Sequence, residues 1–326
     1  MLINWAPTFA HEVYVLSPKQ ISQDQQAHSP NIWQALSSFH NLRIFILGGL
    51  LTLAIFALAI FLKSTKPAQK LGKFIDKATV FAPDIIRVAF GVSLLLSAFH
   101  HALFGPELPL NNFPAPRIAG AILYVLGIGL VLGIFSRWLA AASIILYVVA
   151  FTVKGWYMLT YINYLGEALA VYLFPRQNFS LDKLIAKLRH VKQGKLRYEK
   201  YSLPVARLLF GFSIIYAAIN VKFVTANLSL DVVNRYHLTH YFPFDPLFIV
   251  LGAGLVEILI GLLYMLGLLQ RFNTVFFLIF LTASLMFFKE DVWPHYLLIA
   301  LAVGIFLHKP DTWAIDNRVS SSKKQI

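Results

Sequence analysis

The stretch GAGLVEILIGLLYMLGLLQR, residues 252–271, decides how this chain is built. It is apolar apart from Glu257 until it ends at Gln270 and Arg271. Glu257 and Gly261 are four residues apart, so they share one face of a helix, and small residues on such a face let a second membrane helix approach closely. A charge in hydrocarbon is costly, about 2.5–3.5 kcal/mol at the bilayer centre for Asp, Lys or Arg. We therefore expect Glu257 to point into the protein.

The composition extends this reading to the whole chain. Hydrophobic residues make up 58% of the 326 residues, charged residues make up 13%, and the mean hydropathy is +0.67. Soluble domains carry about 25% charged residues, so the chain is predicted to be a polytopic membrane protein. It has no cysteine, which excludes disulfides, thiolate metal sites and thiol redox chemistry within this chain. A redox role would require a bound cofactor or a partner.

Nine apolar segments predict an all-α membrane protein with one N-terminal transmembrane helix and two tandem four-helix bundles. The predicted spans are residues 44–62, 81–104, 118–136, 138–153, 156–174, 203–223, 246–269, 272–288 and 292–307. The predicted units are an exposed arm (1–41), a transmembrane helix (42–63), the first bundle (81–175), a basic cytoplasmic linker (176–201), the second bundle (203–308) and a cytoplasmic tail (309–326). The arm is either simply exposed or the remnant of a truncated signal peptide.

The basic residues predict the orientation in a bacterial inner membrane. Residues 63–80, 175–201 and 309–326 carry 5, 8 and 4 lysines and arginines, whereas the loops on the opposite side carry only Lys19, Arg235 and Lys289. By the positive-inside rule the N-terminus is outside and the C-terminus inside. The net charge of +13 is thus a topology signal and not a nucleic-acid surface. The 175–201 segment is either an amphipathic helix on anionic lipid or a solvated linker.

The four spans before the basic linker match the four after it. The matching motifs are Arg87-x3-Gly91 with Arg207-x3-Gly211, Gly127-x5-Gly133-x3-Arg137 with Gly261-x5-Gly267-x3-Arg271, and residues 164–171 with 296–303. Because each unit has an even number of spans, the repeats are predicted to be parallel. Glu257 aligns with Leu123 and Glu167 with Ile299, so the ionisable residues differ between the copies.

Each half resembles the DoxX/DoxD family of small four-helix membrane proteins. The resemblance rests on Arg207-x3-Gly211, on Lys222 near the end of the same span, and on Glu257-x3-Gly261-x5-Gly267-x3-Arg271. It covers residues 203–308 well and 83–175 more weakly, since the first half lacks the Glu and the Lys. The resemblance implies a quinone-linked or redox-associated membrane subunit.

Five residues are candidates for chemistry or for cofactor contact. Glu257 and Arg207 are the candidate catalytic residues, with Glu257 either a proton relay or quinone contact, or a buried carboxyl that fixes helix register. Arg207 lies about 10 Å nearer the cytoplasm, so a direct pair with Glu257 is not expected. Lys222, Tyr241 and Phe242 are candidates for quinone contact. The two aromatic residues are either the mouth of a cavity or part of an interfacial belt.

Two further groupings predict a structural ion pair and a metal site. Arg87 and Glu167 lie at similar depth in the first bundle and are predicted to pair, although Asp84 competes for the same guanidinium. Five histidines gather on the outer side and are either ligands of copper, zinc or haem iron, or solvated side chains. They are His100, His101, His237, His240 and His295.

These inferences favour a quinone-linked redox subunit, or the membrane anchor of an oxidoreductase complex. The expected partners are the lipid bilayer and a periplasmic or cytoplasmic redox protein, with no nucleic acid. The alternative is a non-catalytic scaffold or a small-molecule transporter, in which the polar residues only organise helices.

Overall fold

The computed structural model describes residues 12–174, 178–190, 198–290 and 292–317, and these residues are helical with no strand among them. The N-terminal arm is folded into short helices. They are α1 (Glu12–Val15), α2 (Pro18–Gln26) and a 3-10 turn (Ile32–Leu36). A capping box between Ser17 and Gln20 begins α2, because each supplies a partner for the other's backbone amide.

Two helices follow the arm. Helix α3 (Phe39–Lys63) is almost uniformly apolar and exposed, and only Asn41 and Ala59 on it are buried. Helix α4 (Lys66–Ile75) is amphipathic, with Leu71 and Phe74 exposed, and it continues through a 3-10 turn into the next helix. The basic segment predicted as a loop is therefore helical.

The two halves have matching helix bounds. The first half contains α5 (Ala82–Phe99), α6 (Pro116–Leu132), α7 (Ser136–Lys154) and α8 (Ile162–Leu173), followed by α9 (Leu181–Leu188). The second half contains α10 (Ser202–Ala218), α11 (Ala226–Arg235), α12 (Pro246–Leu266), α13 (Gln270–Phe288) and α14 (Trp293–Leu307). Helices α7 and α13 begin and end 134 residues apart, and α8 and α14 also end 134 residues apart.

Glycines bring the first two long helices of each half into close contact. Gly91 of α5 faces Gly127 of α6, and a Cβ on either would lie 2.9 Å from the other's carbonyl oxygen. Gly211 of α10 faces Gly261 of α12 in the same way, with 2.6 Å from a Cβ on Gly261 to the Gly211 oxygen. These small residues therefore allow the close helix packing that the sequence predicted.

The corresponding helices α8 and α14 each pack on the first helix of the other half. Helix α8 lies along α10 and α14 lies along α5. Gly166 permits the first contact, because a Cβ there would be 3.0 Å from Leu209, and Gly304 permits the second, because a Cβ there would be 2.7 Å from Ile86. Through these two contacts the halves share one large apolar core, which includes residues of both.

Within the described part of the chain, six helical runs are long and apolar enough to cross a membrane. They are Phe39–Lys63, Lys66–Phe99, Ser136–Leu173, Glu199–Val224, Pro246–Leu266 and Gln270–Phe288. Helices α6 and α14 are apolar but shorter, with 17 and 15 residues. The predicted spans 138–153 and 156–174 form one run, joined by the 3-10 segment Gly155–Tyr161. The fold is thus all-helical and compatible with a multi-pass membrane protein.

The molecule has two chemically different ends. At the arm end lie Tyr14, Glu107 and His295, which are linked through the contacts of Tyr14. At the basic end, Lys63 pairs with Asp316 at 2.5 Å and Arg271 pairs with Asp76 at 2.6 Å. These pairs connect α3 to the chain beyond α14, and α13 to the chain before α5.

Candidate functional site

A small cavity lies where α8 meets the second half, and we call it the polar cavity because polar side chains form part of an otherwise apolar wall. Its walls come from α8 and the preceding 3-10 segment, from α10, α12, α13 and α14, and from the arm. The cavity volume is about 90 Å³. The polar side chains that line it are Tyr14, Thr160, Tyr161, Asn163, Tyr164, Ser213, Glu257 and His295.

Glu257 reaches this cavity from α12 and is paired with Lys222. The Lys222 ammonium lies 3.0 Å from Glu257 Oε2, and both side chains are largely buried. Lys222 is held on a π-helical segment, Ile219–Val224, that ends α10. Such segments frequently occur at functional sites because the wider turn redirects side chains. Glu257 and Lys222, which the sequence offered as separate candidates, are therefore in direct contact.

Glu107 forms a second polar centre at the arm end of the cavity. Its Oε1 accepts hydrogen bonds from the hydroxyls of Tyr161, Tyr157 at 3.1 Å and Tyr14 at 3.5 Å. Burial raises the pKa of Glu107 to about 7, although the hydrogen bonds from Tyr157 and Tyr14 lower it. Its carboxyl thus exchanges a proton near neutral pH.

Tyrosines and a histidine connect this centre to the cavity wall. The Tyr14 hydroxyl lies 3.1 Å from the Tyr161 hydroxyl, and the Tyr14 ring meets His295 edge-on at 5.5 Å. His295 Nδ1 lies 3.5 Å from a carboxylate oxygen of Glu290. Tyr164 donates to the carbonyl oxygen of Phe104 at 2.7 Å. Side chains with hydroxyl and imidazole groups therefore extend from Glu107 to the cavity wall.

Arg207 lies at the basic end, away from this cavity. It is fully buried, it donates to the carbonyl oxygens of Tyr264 and Met265, and its guanidinium contacts both carboxylate oxygens of Asp311 at 2.7 and 3.2 Å. Arg207 therefore does not line the cavity and, as the sequence indicated, makes no direct pair with Glu257, so its catalytic role stays a prediction. Arg207 joins the end of α12 to the chain beyond α14.

The predicted Arg87–Glu167 ion pair does not form. Arg87 contacts Asp84 at 3.3 Å and donates to the carbonyl oxygens of Leu130, Val131 and Phe179. Glu167 is fully buried on α8, and neither of its carboxyl oxygens has a hydrogen bond of normal geometry. The competing carboxylate is favoured because Asp84 lies one turn away on the same helix.

The five histidines do not converge on a metal site. Among the described residues, no group of three His, Cys, Asp or Glu side chains is placed to hold an ion. His100 stacks on Trp293 at 4.7 Å, His295 is paired with Glu290, and His237 and His240 are exposed. Their common location near one membrane face did not bring their rings together.

The predicted quinone contacts Tyr241 and Phe242 lie outside both main cavities. They are 64% and 53% exposed, and Tyr241 packs edge-on against Phe287 at 5.2 Å. The other main cavity is an apolar groove of about 520 Å³ between α5 and α14. It is larger than the polar cavity, but Glu257 lines only the polar cavity, so we take the polar cavity as the candidate site.

Two aspartates at the basic end escaped the sequence interpretation. Asp182 accepts from the backbone amides of Phe135 and Ser136 at the start of α7, and Asp316 accepts from those of Leu269 and Gln270 at the start of α13. Each follows a left-handed glycine, Gly133 or Gly267, by 49 residues. This equal spacing is the feature of the sequence from which the two aspartates could have been identified.

The polar residues around Glu107 were also missed. Glu107 was the lone carboxylate of its loop, and Tyr157, Tyr161 and Tyr164 recur at helical spacing, but nothing in the sequence joined them to Tyr14.

Comparison of the chain with protein families, with curated proteins and with solved structures finds no match.

Proposed function

We propose that this chain is a nine-span bacterial inner-membrane protein of the DoxX-like type, with one N-terminal helix and two tandem four-helix units. The matching bounds of α7 and α13, and the matching ends of α8 and α14, support the duplication. So do the equivalent contacts of Arg87 with Leu130 and Val131 and of Arg207 with Tyr264 and Met265. The excess of lysine and arginine at the basic end supports an N-out, C-in orientation. Reporter fusions at residue 190 and at the C-terminus should both report the cytoplasm.

The proposed activity is proton handling in the membrane subunit of a quinone-linked oxidoreductase. The observation that carries this proposal is Glu257, which is paired with Lys222 and lines a cavity together with tyrosine, histidine and asparagine side chains. Intramembrane carboxylates commonly mark proton pathways, and quinone reduction takes up protons together with electrons. Glu257 is proposed to exchange protons with the cavity. When the Glu257 carboxyl has lost its proton, the Lys222 ammonium compensates the negative charge.

The cavity fits water and protons better than a quinone ring with its tail. A volume of about 90 Å³ accommodates roughly six to nine waters, at about 10–15 Å³ of cavity volume each. Its hydroxyl, amide and carboxyl groups suit a hydrated chain. We therefore assign proton delivery to this cavity, and a bound quinone would supply the electron-accepting ring outside it.

The proposal is tested on the full chain purified in a mild detergent. Bound quinone is extracted and quantified, and proton uptake on chemical reduction of that quinone is followed with a pH indicator. Glu257→Gln should retain the quinone but slow proton uptake roughly 100-fold, the usual scale for losing a proton-transfer group. Glu199→Gln, at the basic end, is the matched control. Wild-type protein without quinone, or equal rates in both variants, would contradict the proposal.

The location of the cavity beside both halves favours a second candidate, a small-molecule or proton-coupled transporter. Substrate sites of transporters built from repeats lie near the midplane at the repeat interface. Liposomes that contain only the purified protein distinguish the two. Glu257-dependent proton flux under an imposed membrane potential, with no quinone or reductant present, would favour the transporter.

A further inference from the structure

The N-terminal arm covers one end of the polar cavity. Tyr14 lines the cavity and lies over Glu107, Tyr161 and His295. Removing this one side chain from its position would open the arm end of the cavity. The arm is thus placed as a lid.

The arm is attached to the helices beneath it by apolar clusters and hydrogen bonds. Val15 and Leu16 pack in a small apolar cluster with Val221 and Leu228. Ser29 Oγ accepts from the backbone amide of Ala226 at 2.9 Å. These contacts are with the end of α10 and with α11, and Ile32 and Ala35 of the 3-10 turn are buried in a second cluster with residues of α11 and α12. They hold the arm independently of Glu107, so the proposed movement concerns only the part of the arm that carries Tyr14.

Glu107 is the ionisable group that the lid removes from water. The residue as a whole is partly exposed, but its Oε2 has no solvent contact and no hydrogen-bond partner. Within the described part of the chain, no lysine, arginine or histidine lies within ion-pair distance of it. A carboxylate in this position lacks the counter-charge that stabilises a buried ion.

We propose that Glu107 is a proton-binding site whose charge state decides whether the arm lies closed over the cavity. With Glu107 neutral, the closed arm loses little by excluding water from the carboxyl. With Glu107 ionised, the carboxylate is better hydrated when the arm is lifted. The closed state therefore binds the proton more tightly, and by linkage a rise in pH favours opening.

Other titratable groups near the arm must be separated from Glu107. On α2 of the arm, burial and the neighbouring Asp231 carboxylate raise the pKa of Asp24, and Asp24→Asn should leave the transition in place. The facing groups are the phenols of Tyr14, Tyr157, Tyr161 and Tyr164. Burial raises the pKa of Tyr14 well above 10, so its hydroxyl stays neutral around pH 7. Beyond Tyr14 lie His295 and Glu290, which the experiment must separate from Glu107.

The test measures the position of the arm directly. Because the chain has no cysteine, Lys19→Cys on α2 and Asn111→Cys in the loop before α6 give a unique pair of nitroxide labels at exposed positions. Pulsed electron resonance should give one narrow distance distribution about two pH units below neutrality and an added, broader component about two units above it. The midpoint should lie near the Glu107 pKa of about 7.

Variants assign the transition to Glu107. In Glu107→Gln the distribution should stay narrow at every pH. In Tyr14→Phe and Tyr157→Phe the midpoint should move upward, because each removes a hydrogen bond that lowers the Glu107 pKa. Glu290→Gln is the matched control and should leave the transition in place. A pH-independent distribution in the wild type, or an unchanged transition in Glu107→Gln, would overturn the proposal. The two phenylalanine variants decide the matter if Glu107→Gln does not fold.

Discussion

The Lys222 ammonium lies 3.0 Å from Glu257 Oε2, on two helices that also meet through Gly211 and Gly261. The contact joins the π-helical end of α10 to the middle of α12. Both charges are mostly shielded from water, so each depends on the other. This pair gives the first prediction.

Lys222→Met should destabilise the protein in detergent by about 3–5 kcal/mol, because it leaves the Glu257 carboxylate buried without its counter-charge. Adding Glu257→Gln to that variant should restore most of the loss. Thermal unfolding of the purified protein measures both. Lys73→Met, at an exposed position of α4, is the control and should change little. Additive losses in the double variant would show that the pair does not couple the two helices.

Arg87 and Glu167 should behave independently. Arg87→Gln should be severely destabilising, because it removes hydrogen bonds to three backbone carbonyls and leaves Asp84 without its cation. Glu167→Gln should be tolerated, because that carboxyl has no charged partner to lose. A double-mutant cycle on thermal unfolding should give a coupling energy near zero. A coupling well above about 0.5 kcal/mol would restore the ion pair that the sequence predicted.

Gly261→Ala should destabilise the contact between α10 and α12. The new Cβ would lie 2.6 Å from the carbonyl oxygen of Gly211, which is backbone and cannot move aside easily. Gly252→Ala on the same helix is the control, since nothing lies within 4 Å of its Cβ position. That control should be neutral or more stable by up to about 1 kcal/mol, the gain in helix propensity. Equal unfolding temperatures for the two variants would contradict the close packing.

The pH dependence of stability should carry a contribution from Glu107. Its folded-state pKa is raised from 4.5 to about 7, so the protonated group stabilises the fold fully below pH 4.5. This contribution is lost as the pH rises from 4.5 to about 7. Wild-type unfolding temperatures should therefore fall relative to Glu107→Gln across this window and then run parallel above it. A constant difference between the two proteins at all pH values would rule out the shift.

Local patterns predicted the contacts that recur along one helix or between sequence neighbours. The spacing of Gly261 and Glu257 placed a close helix contact and a polar group on α12, and both are found there. The alternation of apolar runs with turns placed most helices within a few residues. The ion-pair prediction for Arg87 was wrong because equal depth in a bundle does not fix which way two side chains point.

The sequence by itself determined that this chain is helical and apolar enough for a membrane, and it revealed two similar halves through their shared glycine and arginine spacing. These properties depend on hydrophobicity and on residues only a few positions apart. The tertiary structure alone decided that Lys222 meets Glu257, that Arg207 binds Asp311, and that Tyr14 lies over Glu107. Such partners are 35 to 104 residues apart in the sequence. They are therefore selected by the rotation of each helix about its axis and by the packing of α8 on α10 and of α14 on α5.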